Sequence, residues 1–177
     1  MSLSRNHWLD KIRSIKANDK LIGEGDLDSF LFGAKRASLA KVQPVLFDVQ
    51  KGLCFYCQKA LNANKGEVDH FIPWARYPHD LGHNFVLAHA GCNNNKRDHL
   101  AAHVHCDRWY EQNIIIHGDA LSRELDGYFT CDAKRSTAVA TWAYRLAHQN
   151  EVSLWVEKNQ FMGAVERKSV SAETLFE

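Results

Sequence analysis

Cys54-Phe55-Tyr56-Cys57, then Val68-Asp69-His70-Phe71-Ile72-Pro73, then Asn84-Phe85-Val86-Leu87-Ala88-His89-Ala90-Gly91-Cys92-Asn93-Asn94-Asn95-Lys96 form the stretch whose reading decides the fold. Its ends carry two pairs of soft ligands. Cys54 and Cys57 are separated by two residues, as are His89 and Cys92, and 31 residues lie between the pairs. Two intervening residues let a tight turn direct both side chains at one ion, and three thiolates with an imidazole suit tetrahedral Zn2+ better than a hard cation. A zinc ion here closes a long loop of modest apolar content and supplies folding free energy to it. Cys54 and Cys57 as a redox pair is the blander alternative, and the matching second pair argues against it.

Inside the staple the pattern predicts a knuckle turn over 53–61, a polar loop over 62–66 and an extended segment over 67–72 stopped by Pro73. A loop over 74–83 leads to the apolar run 85–88, of strand length. A helix is expected after Cys92, capped by Asn93 or Asn94, with Leu100, Val104 and Trp109 on its buried side.

The ordered set Asp69-His70-Phe71-Ile72-Pro73, Asn84-Phe85-Val86-Leu87 and Cys92-Asn93-Asn94-Asn95-Lys96 resembles the signature of the HNH endonucleases. The resemblance covers residues 53–100. It implies an α+β fold with a ββα-metal (His-Me finger) core and a structural zinc, set among mainly helical flanks. It also implies an endonuclease that hydrolyses phosphodiester bonds, leaving 5′-phosphate and 3′-hydroxyl ends, in DNA first and RNA second. On this reading His70 is the general base, and Asp69 and Asn93 bind one catalytic divalent ion. Asn84 orients the His-bearing loop. His89 departs from the family pattern, since cysteine is commoner at that zinc position.

The residue types suit those roles. Phosphodiester hydrolysis needs an activated water and stabilisation of the departing oxygen. A carboxylate with an amide oxygen favours Mg2+ or Mn2+, and an imidazole titrating near pH 6.5 can take a proton from water at neutral pH. Neighbouring residues on a strand point to opposite faces, so a bend is expected between Asp69 and His70. Lys96 and Arg97, read as lying in the first turn of the following helix, are the expected phosphate contacts, with Arg76 as a third.

Working outward, 177 residues at 45% hydrophobic suit one domain over 1–177, with the nuclease core at 53–105 flanked by 1–52 and 106–177. No apolar run approaches the roughly 20 residues that span a bilayer, and charges interrupt the N-terminal region, so no membrane contact and a cytoplasmic protein are expected. Five cysteines fit a metal site in a reducing compartment better than a disulfide framework, leaving Cys106 and Cys131 as buried thiols. A formal charge of +1 predicts weak, salt-sensitive DNA binding through a local patch.

In the flanks, Trp8, Ile12 and Ile15 share a helical face, 23–26 is a polar break, and a helix is expected over 30–41. Pro44 is placed in the first turn of a second short helix, with Gly52 as its left-handed cap. Asp132 caps a C-terminal helix whose Val139, Trp142 and Leu146 are read as core, and 152–156 pairs with 160–165. His79, His83, His99, His103 and His105 are assigned to packing or surface. The competing reading is a catalytically silent zinc module that binds nucleic acid or protein. A third is an effector acting with a partner protein, or as a homodimer, in defence against foreign DNA. No motif for such a partner is present.

Overall fold

The computed structural model describes residues 36–164. Internal contacts divide the chain into two units, Met1–Ala37 and Ser38–Glu177, which splits the expected N-terminal flank at Ala37. The helical face of Trp8, Ile12 and Ile15, the break over 23–26 and the start of the helix expected over 30–41 lie outside the described residues, as does the end of the last strand at Val165.

The described chain begins with α1, Arg36–Val49. The two helices expected here are one, and Pro44 lies inside it rather than in a first turn. Proline removes one backbone donor and crowds the preceding turn; burial of Val42 and Leu46 holds the helix across it. Gly52 closes α1 at φ +71°, its N–H donating to Phe47 O at 2.8 Å. This is the left-handed cap that the sequence predicts.

Strands β1, Gly66–His70, and β2, Phe85–His89, pair antiparallel, with Asp69 opposite Val86 and His70 opposite Phe85. β2 is buried along nearly its whole length. At the start of β1 glycine makes room for its neighbour, since a Cβ at Gly66 would stand 2.9 Å from Leu87 Cγ and force that buried side chain to shift. Helix α2, Ala90–Lys96, follows β2 directly and packs on both strands. The fold is α+β, and β1, β2 and α2 are its ββα unit.

α2 ends where the sequence predicts a longer helix. Arg97 takes φ +52°, and residues 97–102 form a connection in which Leu100 is fully buried. Helix α3, His103–Trp109, then runs into a π-helical turn, Tyr110–Ile116. Trp109 is buried as expected, but Val104 is 54% exposed, because the break resets the helical phase. Asn93 lies within α2 rather than capping it; the cap position is His89.

Two further helices, α4 (Gly118–Glu124) and α5 (Ala133–Gln149), complete the layer, and Asp132 caps α5 by accepting from Arg135 N. Of the expected core stripe of α5 only Val139 packs against the core, and partly; Trp142 and Leu146 are 40% and 39% exposed. The buried face is instead Ser136, Ala140, Ala143, Tyr144 and Ala147. Small residues let α5 approach the core closely, which turns the larger apolar side chains outward. Strands β3 (Ser153–Glu157) and β4 (Gln160–Gly163) form the expected hairpin, with Asn159 at φ +60° in its turn. Among the described residues, no helix is long and apolar enough to cross a membrane.

Candidate active site and metal centre

The knuckle is built by backbone first. Cys54 N donates to Lys59 O and Gln58 N to Cys54 O, with Gln58 at φ +57°. Gln50, nearly buried at the end of α1, ties this turn to β2: its amide donates to Leu53 O and Leu87 O, and it accepts from Leu87 N. These bonds satisfy backbone groups that a loop of this kind would otherwise bury unpaired.

The ligand atoms of Cys54, Cys57, His89 and Cys92 all lie within 4.8 Å of one another, as the sequence spacing predicts. Sulfurs around tetrahedral zinc stand about 3.8 Å apart, from Zn–S lengths of about 2.3 Å, so the cluster can hold such an ion. His89 Nε2 donates to Ala60 O at 3.1 Å, which directs Nδ1 at the cluster, 3.3 Å from Cys57 Sγ. Fixing the far nitrogen this way sets the ligating tautomer. Burial, together with the neighbouring Cys54 and Cys57 sulfurs, pushes the Cys92 thiol up to about 12. Without a cation these thiols resist ionising together; a bound ion removes that penalty.

The carboxylate of Asp69 is held at one oxygen. Tyr56, inside the Cys-x-x-Cys turn, donates its hydroxyl to Asp69 Oδ2 at 2.6 Å, and Lys96 Nζ lies 3.0 Å from the same oxygen. Burial, with Asp69 adding to it, holds the Tyr56 pKa well above the ordinary value, so the phenol stays a donor. Lys96 also donates to the backbone oxygen of His70 at 2.9 Å. Its side chain is fully buried and its pKa is lowered by that burial, against the pull of Asp69.

This placement corrects the expected phosphate contact at Lys96. The residue ends α2, where the helix dipole repels anions, and its ammonium is spent on Asp69 and His70 O. Arg97 follows at the exposed C-cap, likewise outside a first turn. Arg76 is half-buried, its Nε 3.4 Å from Asp98 O.

His70 ends β1 without the expected bend, since it and Asp69 both keep their register with β2. The two side chains therefore leave by opposite faces and have different partners. His70 Nε2 lies 2.7 Å from Asp80 Oδ1, and the ring meets those of Phe85 and Trp74 at 5.0 and 5.4 Å. Asn93, on α2, donates its amide to Glu67 Oε2 at 3.0 Å. Glu67 shares the Asp69 face of β1. Asn84 accepts from Ile72 N at 2.8 Å and donates to Ile72 O at 2.9 Å, closing the chain just beyond His70 into a fixed turn.

Three of these contacts join residues that sequence reasoning left out: Tyr56, Glu67 and Asp80. Tyr56 had a signal, since a tyrosine inside a buried knuckle needs a partner for its hydroxyl. Glu67 had the two-residue spacing from Asp69.

Residues 54–102 match the family model described as HNH endonuclease. The matched segment takes in the metal cluster, both strands and α2. Among solved structures the chain is similar to the type II-C Cas9 enzyme from Actinomyces naeslundii, at 17% identity and a TM-score of 0.33, over 98% of this chain and 15% of that one. The chain therefore spans about a seventh of that enzyme's length. No curated protein matches the sequence.

Proposed function

We propose that the HNH core hydrolyses phosphodiester bonds in DNA, with His70 taking a proton from the attacking water. One observation carries the reading: His70 presents its imidazole at the last position of β1, and the residue before it, Asp69, has its carboxylate fixed through Oδ2 on the other face of the strand. A phosphate lying across the end of a strand can reach groups from both of its faces, so opposite orientation does not separate the two functions.

The donors fit a hard divalent cation. Tyr56 and Lys96 occupy Asp69 Oδ2, which leaves Oδ1 as a ligand oxygen, and Asn93 offers the amide oxygen that Glu67 does not engage. Asp69 and Asn93 would hold Mg2+ or Mn2+, which would supply charge neutralisation at the phosphate and the departing oxygen. The structural ion of the Cys54, Cys57, His89 and Cys92 cluster is Zn2+ on the same reading. Arg97 and Arg76 contact the phosphate backbone, and with a net charge of +1 that binding weakens as salt is raised. RNA is the second substrate.

Purified protein should nick plasmid DNA with Mg2+ or Mn2+ and stop in EDTA, with linear duplex and single strands compared in parallel. Binding of plasmid without nicking under every metal condition would favour a silent zinc module.

A further inference from the structure

The Asp80 side chain belongs to the loop between β1 and β2, ten residues after His70, and the loop is fixed at both ends. At the near end Arg76 N and Tyr77 N bond to Pro73 O. At the far end Leu81 bridges Thr130, and Gly82 N donates to Thr130 O at 2.9 Å. Tyr77 OH accepts from Arg135 Nε at 2.9 Å, a tether from α5 to the middle of the loop. Asp80 is thus delivered to His70 by the fold rather than by a free excursion of the chain, and both side chains are largely buried, at 15% and 18% exposure.

A carboxylate oxygen can only accept, so a 2.7 Å contact with Asp80 Oδ1 requires a proton on His70 Nε2. In the neutral ring the other nitrogen, Nδ1, then carries the lone pair. The rings of Phe85 and Trp74 pack steeply against it, at 67° and 63°, and limit its rotation. We propose that Asp80 is a positioning residue, which selects the Nε2–H tautomer of His70 and makes Nδ1 the atom that receives the water proton. This rests on the hydrolytic reading above. As the proton moves to Nδ1, the water oxygen bonds to phosphorus and the bond to the 3′ oxygen breaks. The 3′ oxygen takes a proton from solvent. Asp80 touches neither water nor phosphate and acts through His70 alone.

The test compares wild type with Asp80→Asn, Asp80→Glu and His70→Ala. Fold and zinc content are checked first, and nitrogen-15 histidine spectra are recorded where the ring is neutral. Wild-type His70 should show a single Nε2–H tautomer. Asp80→Asn should give mixed or inverted tautomers and lower kcat by about 10-fold to 10⁴-fold, with KM for an oligonucleotide duplex unchanged. Asp80→Glu should restore part of both. A folded Asp80→Asn protein with the wild-type tautomer and kcat overturns the proposal while leaving hydrolysis by His70 intact. Full cleavage by His70→Ala instead sinks the hydrolytic reading, and the spectra still decide whether Asp80 sets the tautomer.

Discussion

The hydroxyl of Tyr56 donates to Asp69 Oδ2 at 2.6 Å, joining the turn that carries two cysteines of the candidate metal cluster to the carboxylate at the centre of the candidate active site. The staple therefore does more than close a loop. Tyr56→Phe leaves the buried carboxylate with Lys96 alone, and should lower stability by about 1–3 kcal/mol in urea unfolding. Lys96→Ala strips the buried pair of its cation and should cost about 3–5 kcal/mol. Arg97→Ala, at an exposed position, should change stability by less than about 0.5 kcal/mol while weakening DNA binding. Equal stability of the Lys96 and Arg97 variants would show that Lys96 is not buried against Asp69.

Metal removal tests the staple itself. Elemental analysis should find one zinc per chain, and Cys92→Ser should lose it. Burial and the neighbouring sulfurs hold the Cys92 thiol near 12 without a cation, so the metal-free cluster lacks one of the thiolates that the ion would bridge. Chelation should abolish the cooperative thermal transition. A metal-free protein melting at the holo temperature would refute a folding role for the ion.

Acid should loosen the knuckle through His105. Its Nε2–H donates to Val156 O at 2.8 Å, while Nδ1 faces Arg108 NH1 at 3.3 Å. Burial is the main cause of a pKa below the ordinary 6.5, with Arg108 and Lys96 acting in the same direction against the Val156 bond. The unfolded chain thus binds this proton at a higher pH than the folded one. Stability falls as pH drops below about 6.5 and keeps falling to the folded pKa. Arg108 NH1 also donates to Phe55 O, so protonating His105 pushes on the residue that holds the knuckle. Urea unfolding between pH 7.5 and 5.5 should show a shallower loss in His105→Gln than in wild type. An unchanged slope would count against it.

Helix α5 offers a packing test. Trp142→Ala should cost less than about 1 kcal/mol, as expected of a half-exposed surface residue, whereas Ala143→Leu should cost about 1–3 kcal/mol by overpacking a 1% exposed position. The reverse order would restore Trp142 and Leu146 as core.

What could be read from the chain followed from how locally each signal is encoded. Two ligand pairs of fixed spacing announced the metal cluster, because a tight turn and a tetrahedral ion leave little freedom. The ββα order was legible for the same reason, its strands lying inside the staple. The break after Lys96 was not, since Arg97 adopts φ +52° with no glycine or proline to mark it. Nor was the buried side of α5, where periodicity alone cannot tell a stripe of alanines from a stripe of larger apolar groups. Lys96 reads as a phosphate contact until its depth is known, and Asp80 gains meaning only when the loop folds back onto His70.

The central claim is that His70 performs hydrolysis rather than packing the end of β1. Plasmid nicking in Mg2+ by wild type and His70→Ala, with zinc content and thermal unfolding measured on the same samples, tests it most directly. The account predicts a folded, zinc-loaded variant whose cleavage falls by about 10²-fold to 10⁴-fold. Undiminished nicking by that variant would contradict it.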